Sequence, residues 1–575
     1  MTKERLSFQD VKRKSEVLST IFVERYGLKA GDTVSIFAAN TVWYAVGLWA
    51  TVRVGECLCL SSLSVELTIV VGGRINGASP AYTVDEVVYA LKTVGTRILL
   101  TTPSSLPVIL KAAERVALDP SRILLLEGQA DGIISLQALL DTFPTHAHIV
   151  PHARIPPNQT NDQVCAYLNF SSGTTGLPKA VQLSHHNIIA QCWQLRQLQL
   201  LSPPRPVSAK HRHGLPEYRI LAVMPLFHIT GLIRFIHYPV FMNGLSAMLP
   251  KYTLLSMISA IVEYDIHELI LVPPILLRIV NDPAVEPRLP DLSRVVKRWS
   301  SGSAPIAPEV IAKLKIMFPD TGFRQGYGAT ESSACISAHP SSHFDYRYAH
   351  TGGLLVANTT VKVIALPDPS SSAADGGGEQ ERLLRPGQVG EICARGPQIA
   401  LLGYLNNPAA TRETFDNDGY LHTGDVGYLD EEGLVHILDR LKEMIKVKGQ
   451  QVAPAEIEDL LLGRDEVEDV AVIGVKDLDS GERVKAFVVL KPSLVDQPTE
   501  SMEDIARGLM QYVCERTVRY KWLCEVEIVP EVPKSATGKL LRRVLRDWEL
   551  DASRKRGHVC KEPDRARVAK RMAKL

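Results

Sequence analysis

The chain has 575 residues, more than one hydrophobic core usually supports, so two or more domains are expected. Its 45% apolar and 22% charged residues are ordinary for a water-soluble globular protein, and a net charge of +1 gives no basic field for nucleic acid. Its nine cysteines include no Cys-x-x-Cys pair and no Cys/His cluster of zinc spacing, which argues for a reducing compartment and against structural zinc.

The opening Met1-Thr-Lys-Glu-Arg5 lacks the apolar core of a signal peptide, and no apolar run reaches the ~18 residues of a membrane span. A soluble, intracellular protein is expected. Between residues 30 and 350, short β-rich runs alternate with helix-like stretches. The runs include Thr33-Val-Ser-Ile-Phe, Arg97-Ile-Leu-Leu-Thr-Thr, Ile220-Leu-Ala-Val-Met and Glu268-Leu-Ile-Leu-Val, each followed by periodic apolar sequence. This alternation predicts α/β layers with largely parallel sheets. The polar, small-residue stretch from Ser370 to Glu379 reads as a surface loop. Around Leu438 to Lys448 a strand-like run gives way to charged sequence, and a smaller lysine-rich unit follows.

One segment stands out chemically. In Phe170-Ser-Ser-Gly-Thr-Thr-Gly-Leu-Pro-Lys-Ala180, Gly173 and Gly176 let backbone N–H groups approach an anion. Ser171, Ser172, Thr174 and Thr175 can donate to its oxygens, and Lys179 adds a positive charge. The stretch reads as a polyphosphate grip, with a flexible turn as the plain alternative. It is not a Walker A loop, because Leu177 and Pro178 separate the last glycine from the lysine.

Four further segments follow in order: Gln325-Gly-Tyr-Gly-Ala-Thr-Glu331, Tyr420-Leu-His-Thr-Gly-Asp425, Asp439-Arg-Leu-Lys-Glu-Met-Ile-Lys-Val-Lys-Gly449 and Pro533-Lys-Ser-Ala-Thr-Gly-Lys539. Together with the first, they resemble the adenylate-forming superfamily of acyl-CoA synthetases, luciferases and peptide-synthetase adenylation domains. The 4-coumarate–CoA ligase-like branch is the nearest in appearance. The resemblance extends from Leu6 to Arg543.

It implies an α/β fold: a large N-terminal domain of layered, mostly parallel sheets and helices, and a small α+β C-terminal domain. The hinge is placed near Arg440, giving domains 1–439 and 440–575. The sequence departs from the family pattern in two places. The segment beginning at Leu6 usually lies deeper inside such chains, so a piece of the first layer is expected to be missing. Between Arg53 and Gly73, the sequence carries 17 extra residues, from about Glu56 to Gly72. They read as a retained-intron translation or a tolerated surface insertion.

The resemblance also assigns roles. Ser171 to Gly176 and Lys179 suit the β- and γ-phosphates of ATP, Thr330 a phosphate hydroxyl contact, and Glu331 Mg²⁺. In Ser301-Gly-Ser-Ala-Pro305, Ser303 and Ala304 lie on the adenine side. Within the Gln325–Gly326–Tyr327 run, Tyr327 is placed to stack on the base. Asp425 and Arg440 would hold the ribose, although Thr-Gly-Asp by itself is a common turn. Lys539 would be the adenylation lysine, Lys442 and Lys446 hinge lysines, and Gln451 a contact of the adenylate. Coenzyme A would approach Lys448 and Gly449. His228, in Met224-Pro-Leu-Phe-His-Ile-Thr-Gly231, would gate an acyl pocket of Ile229, Leu232, Ser303, Gly328, Ala334 and Cys335. A pocket so small and apolar, with no acidic partner for an amine, favours an aryl or medium-chain acid over an amino acid.

The chain stops at Ala573-Lys574-Leu575, which resembles the peroxisomal tripeptide and implies recognition by the import receptor. The expected protein is a peroxisomal ATP-dependent acid–CoA ligase, with secondary metabolism as one setting. The alternatives are an adenylating enzyme that loads a separate carrier, a luciferase-like oxidase and a catalytically silent relative.

Overall fold

The computed structural model describes residues 4–54, 72–144, 148–155, 158–171, 178–200, 216–302, 306, 308–343, 345–366, 382–448, 450–477, 480–495, 498–534, 539–551 and 553–561. The polar stretch 370–379 falls outside them. Among the described residues, no helix is long and apolar enough to cross a membrane.

The four runs singled out as strands are strands. Thr33–Phe37 is buried along its whole length, its Ser35 hydroxyl 2.7 Å from that of Thr96. It lies inside a six-stranded sheet between Arg74–Ala78 and Thr96–Thr101, with all three parallel. Ile123–Leu125 continues the sheet on one side, and Cys165–Ser171 then Lys179–Ser184 on the other. The last two strands form an antiparallel pair.

A second sheet of seven strands has a parallel core of Gly322–Tyr327, Arg298–Ser301, Glu268–Leu271, Arg219–Ala222 and Leu245–Met248. A third, antiparallel sheet ends in the pair Leu421–Leu429 and Val435–Arg440. The smaller unit is built on the long hairpin Val467–Asp477 and Gly481–Leu490, backed by helices Pro454–Leu462 and Thr499–Arg516. On the central strand Gly481–Leu490, the Lys485 ammonium is fully buried and ion-paired to Glu525, Glu527 and Glu549. The fold is thus mixed α/β, with a large N-terminal part and a smaller C-terminal one.

The first helix, Phe8–Glu24, starts at a capping box in which Ser7 and Asp10 satisfy each other's backbone N–H groups. It packs on helix Val42–Val52. After that second helix the framework is interrupted at Val54, which is fully buried, and resumes at Gly72. The two stems meet: a Cβ on Gly72 would lie 2.2 Å from the Val52 carbonyl oxygen, and the Gly72 carbonyl accepts from Gly31 N–H at 3.2 Å. Gly72 therefore belongs to the framework, and the extra segment sits between stems already in contact.

Candidate active site

A cavity of about 400 Å³ opens where the parallel strands of the second sheet reach their carboxyl ends. Met224, Val272, Gly302 and Gly328 lie just beyond the ends of four of those strands and line it. This is where open α/β sheets place ligands, since loops diverge there and leave space. The opposite wall comes from the third sheet and from Arg440, Leu441, Lys442 and Lys539.

At one end, Asp425 and Arg440 face each other across the Leu421–Leu429 and Val435–Arg440 ladder. Arg440 Nε lies 3.0 Å from Asp425 Oδ1, and the Tyr327 hydroxyl donates to Oδ2 at 2.8 Å. Asp425 is 4% exposed, and burial raises its carboxyl above the usual carboxylate range while Arg440 and Tyr327 pull it back. Burial and the Asp425 charge raise the Tyr327 phenol in turn. Each carboxylate oxygen offers two lone pairs, so ribose hydroxyls can be accepted beside these donors.

Lys539 reaches the same end from the smaller unit. Its segment is pinned at the base, where Lys534 bridges Leu540 and Leu541 N–H donates to the Pro533 carbonyl at 2.9 Å. Burial, reinforced by the neighbouring Arg440, lowers the ammonium from 10.5 to about 8, against the pull of Asp425 and Glu443. It is still largely protonated at pH 7.

The polyphosphate motif is held at its two ends. Ser171 and Lys179 are opposed in the antiparallel pair, and both line the cavity. Ser172, Gly173, Thr174, Thr175 and Gly176 lie outside the described residues. Lys179 Nζ stands 4.8 Å over the Tyr404 ring, and the Tyr404 hydroxyl donates to Glu331 Oε1 at 2.8 Å. Glu331 and Thr330 sit on a single 3₁₀ turn, Thr330–Ser332, followed by Ser333 and Ala334 at φ 50° and 95°. Two consecutive residues in this region store strain of a kind concentrated at functional sites. Glycine is required at 328, because a Cβ there would lie 2.1 Å from the Ala334 carbonyl oxygen.

Of the residues expected around the acyl group, His228, Ile229, Gly328, Ala334 and Cys335 line this cavity. His228 caps the turn Ile229–Gly231 by accepting from Thr230 N–H at 3.3 Å. Burial, with Lys539 nearby, lowers its imidazole to about 4, so it is neutral at pH 7. Leu232 does not line this cavity. It is 3% exposed and borders a separate small void with Tyr44 and Phe227. Its N–H donates to the His228 carbonyl at 2.9 Å in an α-helical turn, and its side chain packs into the core beside Tyr44; Arg234, two residues on in the π-helical turn Leu232–His237, lines the cavity instead.

Gln325 also turns away, its amide donating to the Ala349 carbonyl, while Gly326 beside it does line the cavity. Lys446 and Lys448 are exposed on the smaller unit and do not reach the cavity, and Gln451 does not line it either. Ser303, Ala304, Gly449 and Ala573 to Leu575 are outside the described residues. Sequence reasoning missed Arg234 and Arg324, both buried and both lining the acyl end. The available signal was charge inside strand-like or apolar sequence, which more often marks an exposed edge.

Glu331 suits Mg²⁺, which takes few protein carboxylates and completes its shell with phosphate oxygens and water. A second grouping, Glu391, Cys393 and His422, has ligand atoms within 4.8 Å of one another. There, Glu391 Oε1 accepts from Gly424 N–H and His422 contacts Glu391, so these side chains brace the Gly424–Asp425 turn.

The fold is shared with the o-succinylbenzoate CoA synthetase of Bacillus subtilis in complex with its acyl-adenylate, at TM-score 0.73 and 21% identity. That comparison covers 97% of this chain and 95% of the other. The fold class is therefore that of a large α/β part followed by a smaller one. Residues 1–405 match the AMP-binding enzyme family, and residues 456–539 match the AMP-binding enzyme C-terminal domain. A 4-coumarate–CoA ligase-like protein of Arabidopsis thaliana is 31% identical over 559 residues, covering 95% of this chain and 89% of the relative. A peroxisomal OPC-8:0-CoA ligase of the same plant is 31% identical over 544 residues, covering 95% and 88%. The chain belongs to the AMP-binding enzyme family, within the adenylate-forming acid–CoA ligases.

Proposed function

We propose that the protein uses ATP to convert an aryl or medium-chain carboxylic acid to its CoA thioester in two steps at this one cavity. In the first, a carboxylate oxygen of the acid attacks the α-phosphorus of ATP and pyrophosphate leaves. In the second, the CoA thiol loses its proton, its sulfur attacks the acyl carbon and AMP leaves. The observation that carries this reading is the convergence of Lys539, neutral His228 and Arg440, itself paired with Asp425, on one cavity.

Asp425 and Arg440 would hold the ribose, with Tyr327 setting the carboxylate's angle. Lys539 would offset the repulsion between the two anionic reactants where charge develops on the α-phosphate. Glu331, oriented by Tyr404, would hold Mg²⁺, which supplies charge neutralisation at the phosphate oxygens. The neutral imidazole of His228 and the small residues 328 and 334 leave room for the acyl body without adding charge. Lys442, Lys446, Lys448, Gly449 and Gln451 would serve the second step, reached by rotation of residues 440–575 against 1–439. The tripeptide at 573–575 would direct the protein to peroxisomes, a location the name of one relative carries.

The test is a panel of carboxylic acids scored for acid-dependent pyrophosphate release with and without CoA, with products identified. Acyl-CoA and AMP together support the proposal. An adenylate that accumulates untouched by CoA would point to a carrier-loading enzyme instead.

A further inference from the structure

The inner end of the acyl cavity is not the apolar slot that its sequence suggests. Arg234 lies on the π-helical turn Leu232–His237, five residues after Ile229, and is 7% exposed. Its Nη2 donates to Glu268 Oε1 at 2.7 Å, its guanidinium carbon stands 5.2 Å from the Tyr238 ring centre, and it lines the cavity. Its Nε is buried without a hydrogen-bond partner among the described residues. Arg324, on strand Gly322–Tyr327, is 6% exposed and also lines the cavity. It donates to the same Glu268 oxygen and, through Nε at 3.2 Å, to Ser300 Oγ.

Two guanidiniums thus share one carboxylate oxygen at the wall of a ligand cavity. A guanidinium presents five donors in a planar fork, and a carboxylate meets that fork with two oxygens. The same cavity wall includes the small or apolar residues Ile229, Ile270, Ala334 and Cys335, together with Lys539. The cavity therefore combines an ammonium, two buried guanidiniums and apolar wall.

We propose that Arg234 and Arg324 form a subsite for a second, distal carboxylate, making the preferred substrate a dicarboxylic acid with an apolar spacer. The inference rests on the ligase reading above. A distal carboxylate would add a second negative charge to a group in which Arg234 and Arg324 share one Glu268 oxygen and Arg298 lies 4.0 Å from the other. A substrate ending in an amine would meet two cations. A substrate ending in a methyl group would bury the donors without a partner, which sites built around polar groups penalise strongly.

The experiment measures kcat/KM by pyrophosphate release for three acids of one chain length: a diacid, its monomethyl ester and the simple monoacid. The wild type should favour the diacid over its ester by on the order of 100-fold, less than a fully dedicated site achieves because Glu268 already engages both arginines. Arg234→Leu should reverse the order, lowering turnover of the diacid about 100-fold and raising that of the ester. Arg234→Lys, which keeps the charge and loses the fork, should fall between. A wild type that uses the ester or monoacid as well as the diacid overturns the subsite, and this comparison needs no variant to fold. So does an Arg234→Leu protein that still melts cooperatively yet loses all three acids equally, because that is the behaviour of a structural brace. No pyrophosphate release with any acid would remove the ligase reading itself, and the subsite with it.

Discussion

The depressed pKa of Lys539 makes the first half-reaction sensitive to alkali in a specific way. If its ammonium is needed where α-phosphate charge develops, adenylation should fall as pH rises through about 8, the value to which burial and Arg440 bring it. By titration alone, roughly nine-tenths of the lysine is charged at pH 7 and one-tenth at pH 9, so the loss between them should be about tenfold. Lys539→Met should lower adenylation by roughly 10²- to 10³-fold, as loss of a charge-stabilising donor does, and spare acyl transfer from a preformed adenylate. The same burial has a stability consequence. The unfolded lysine keeps its proton to about 10.5, so the site holds it less tightly than the unfolded chain does. That penalty is complete below pH 8 and fades as pH rises to 10.5. At pH 7 it is worth at most roughly 3 kcal/mol, so Lys539→Met should melt higher than the wild type while losing activity. Single-turnover pyrophosphate release between pH 6.5 and 9.5, with the wild type and Lys539→Arg, is the assay. An alkaline limb with the same midpoint in Lys539→Arg, whose guanidinium does not titrate in this range, would show that another group is responsible.

Three other outcomes are expected. Asp425→Asn leaves the half-buried Arg440 guanidinium without its carboxylate, and should raise the ATP KM at least 100-fold and destabilise the protein by about 1 kcal/mol, read by kinetics and melting. Excising residues 55–71 should raise soluble yield and Tm, because Val52 and Gly72 already touch; a lower Tm would show that the segment belongs to the fold. Deleting Ala573 to Leu575 should leave ligase activity intact and move a tagged protein from peroxisomes to the cytosol, and punctate marker overlap after deletion would refute the address.

Strands such as Thr96–Thr101 were legible because a buried parallel strand needs apolar residues on both faces, and Ile98, Leu99 and Leu100 make such a run. The order of strands in each sheet was not, since pairing between residues as distant as Arg74–Ala78 and Cys165–Ser171 leaves no local trace. At the site, Asp425, Arg440, Glu331 and Lys539 were readable because each is fixed by a short motif. The partners that hold two of them, Tyr327 on Asp425 and Tyr404 on Glu331, come from elsewhere in the chain. Leu232 was misplaced because the side it turns to is set by packing against Tyr44 far away in the chain, and Arg234 was missed because it lies in a π-helical turn, which has no counterpart in the 3.6-residue pattern.

The Asp425–Arg440 contact spans two neighbouring strands of one sheet, and this has a consequence for what is lost between the two steps. A rotation that begins after Arg440 leaves that ladder untouched and carries away only the residues C-terminal to it, Lys539 included. Under the proposed reaction, the nucleotide half of the intermediate would then stay moored to the stationary body while its activating charge departs. The mixed anhydride, which water can hydrolyse, would be kept from solvent during the changeover, and leakage would be set by how fast the thiol arrives rather than by how firmly the moving part grips.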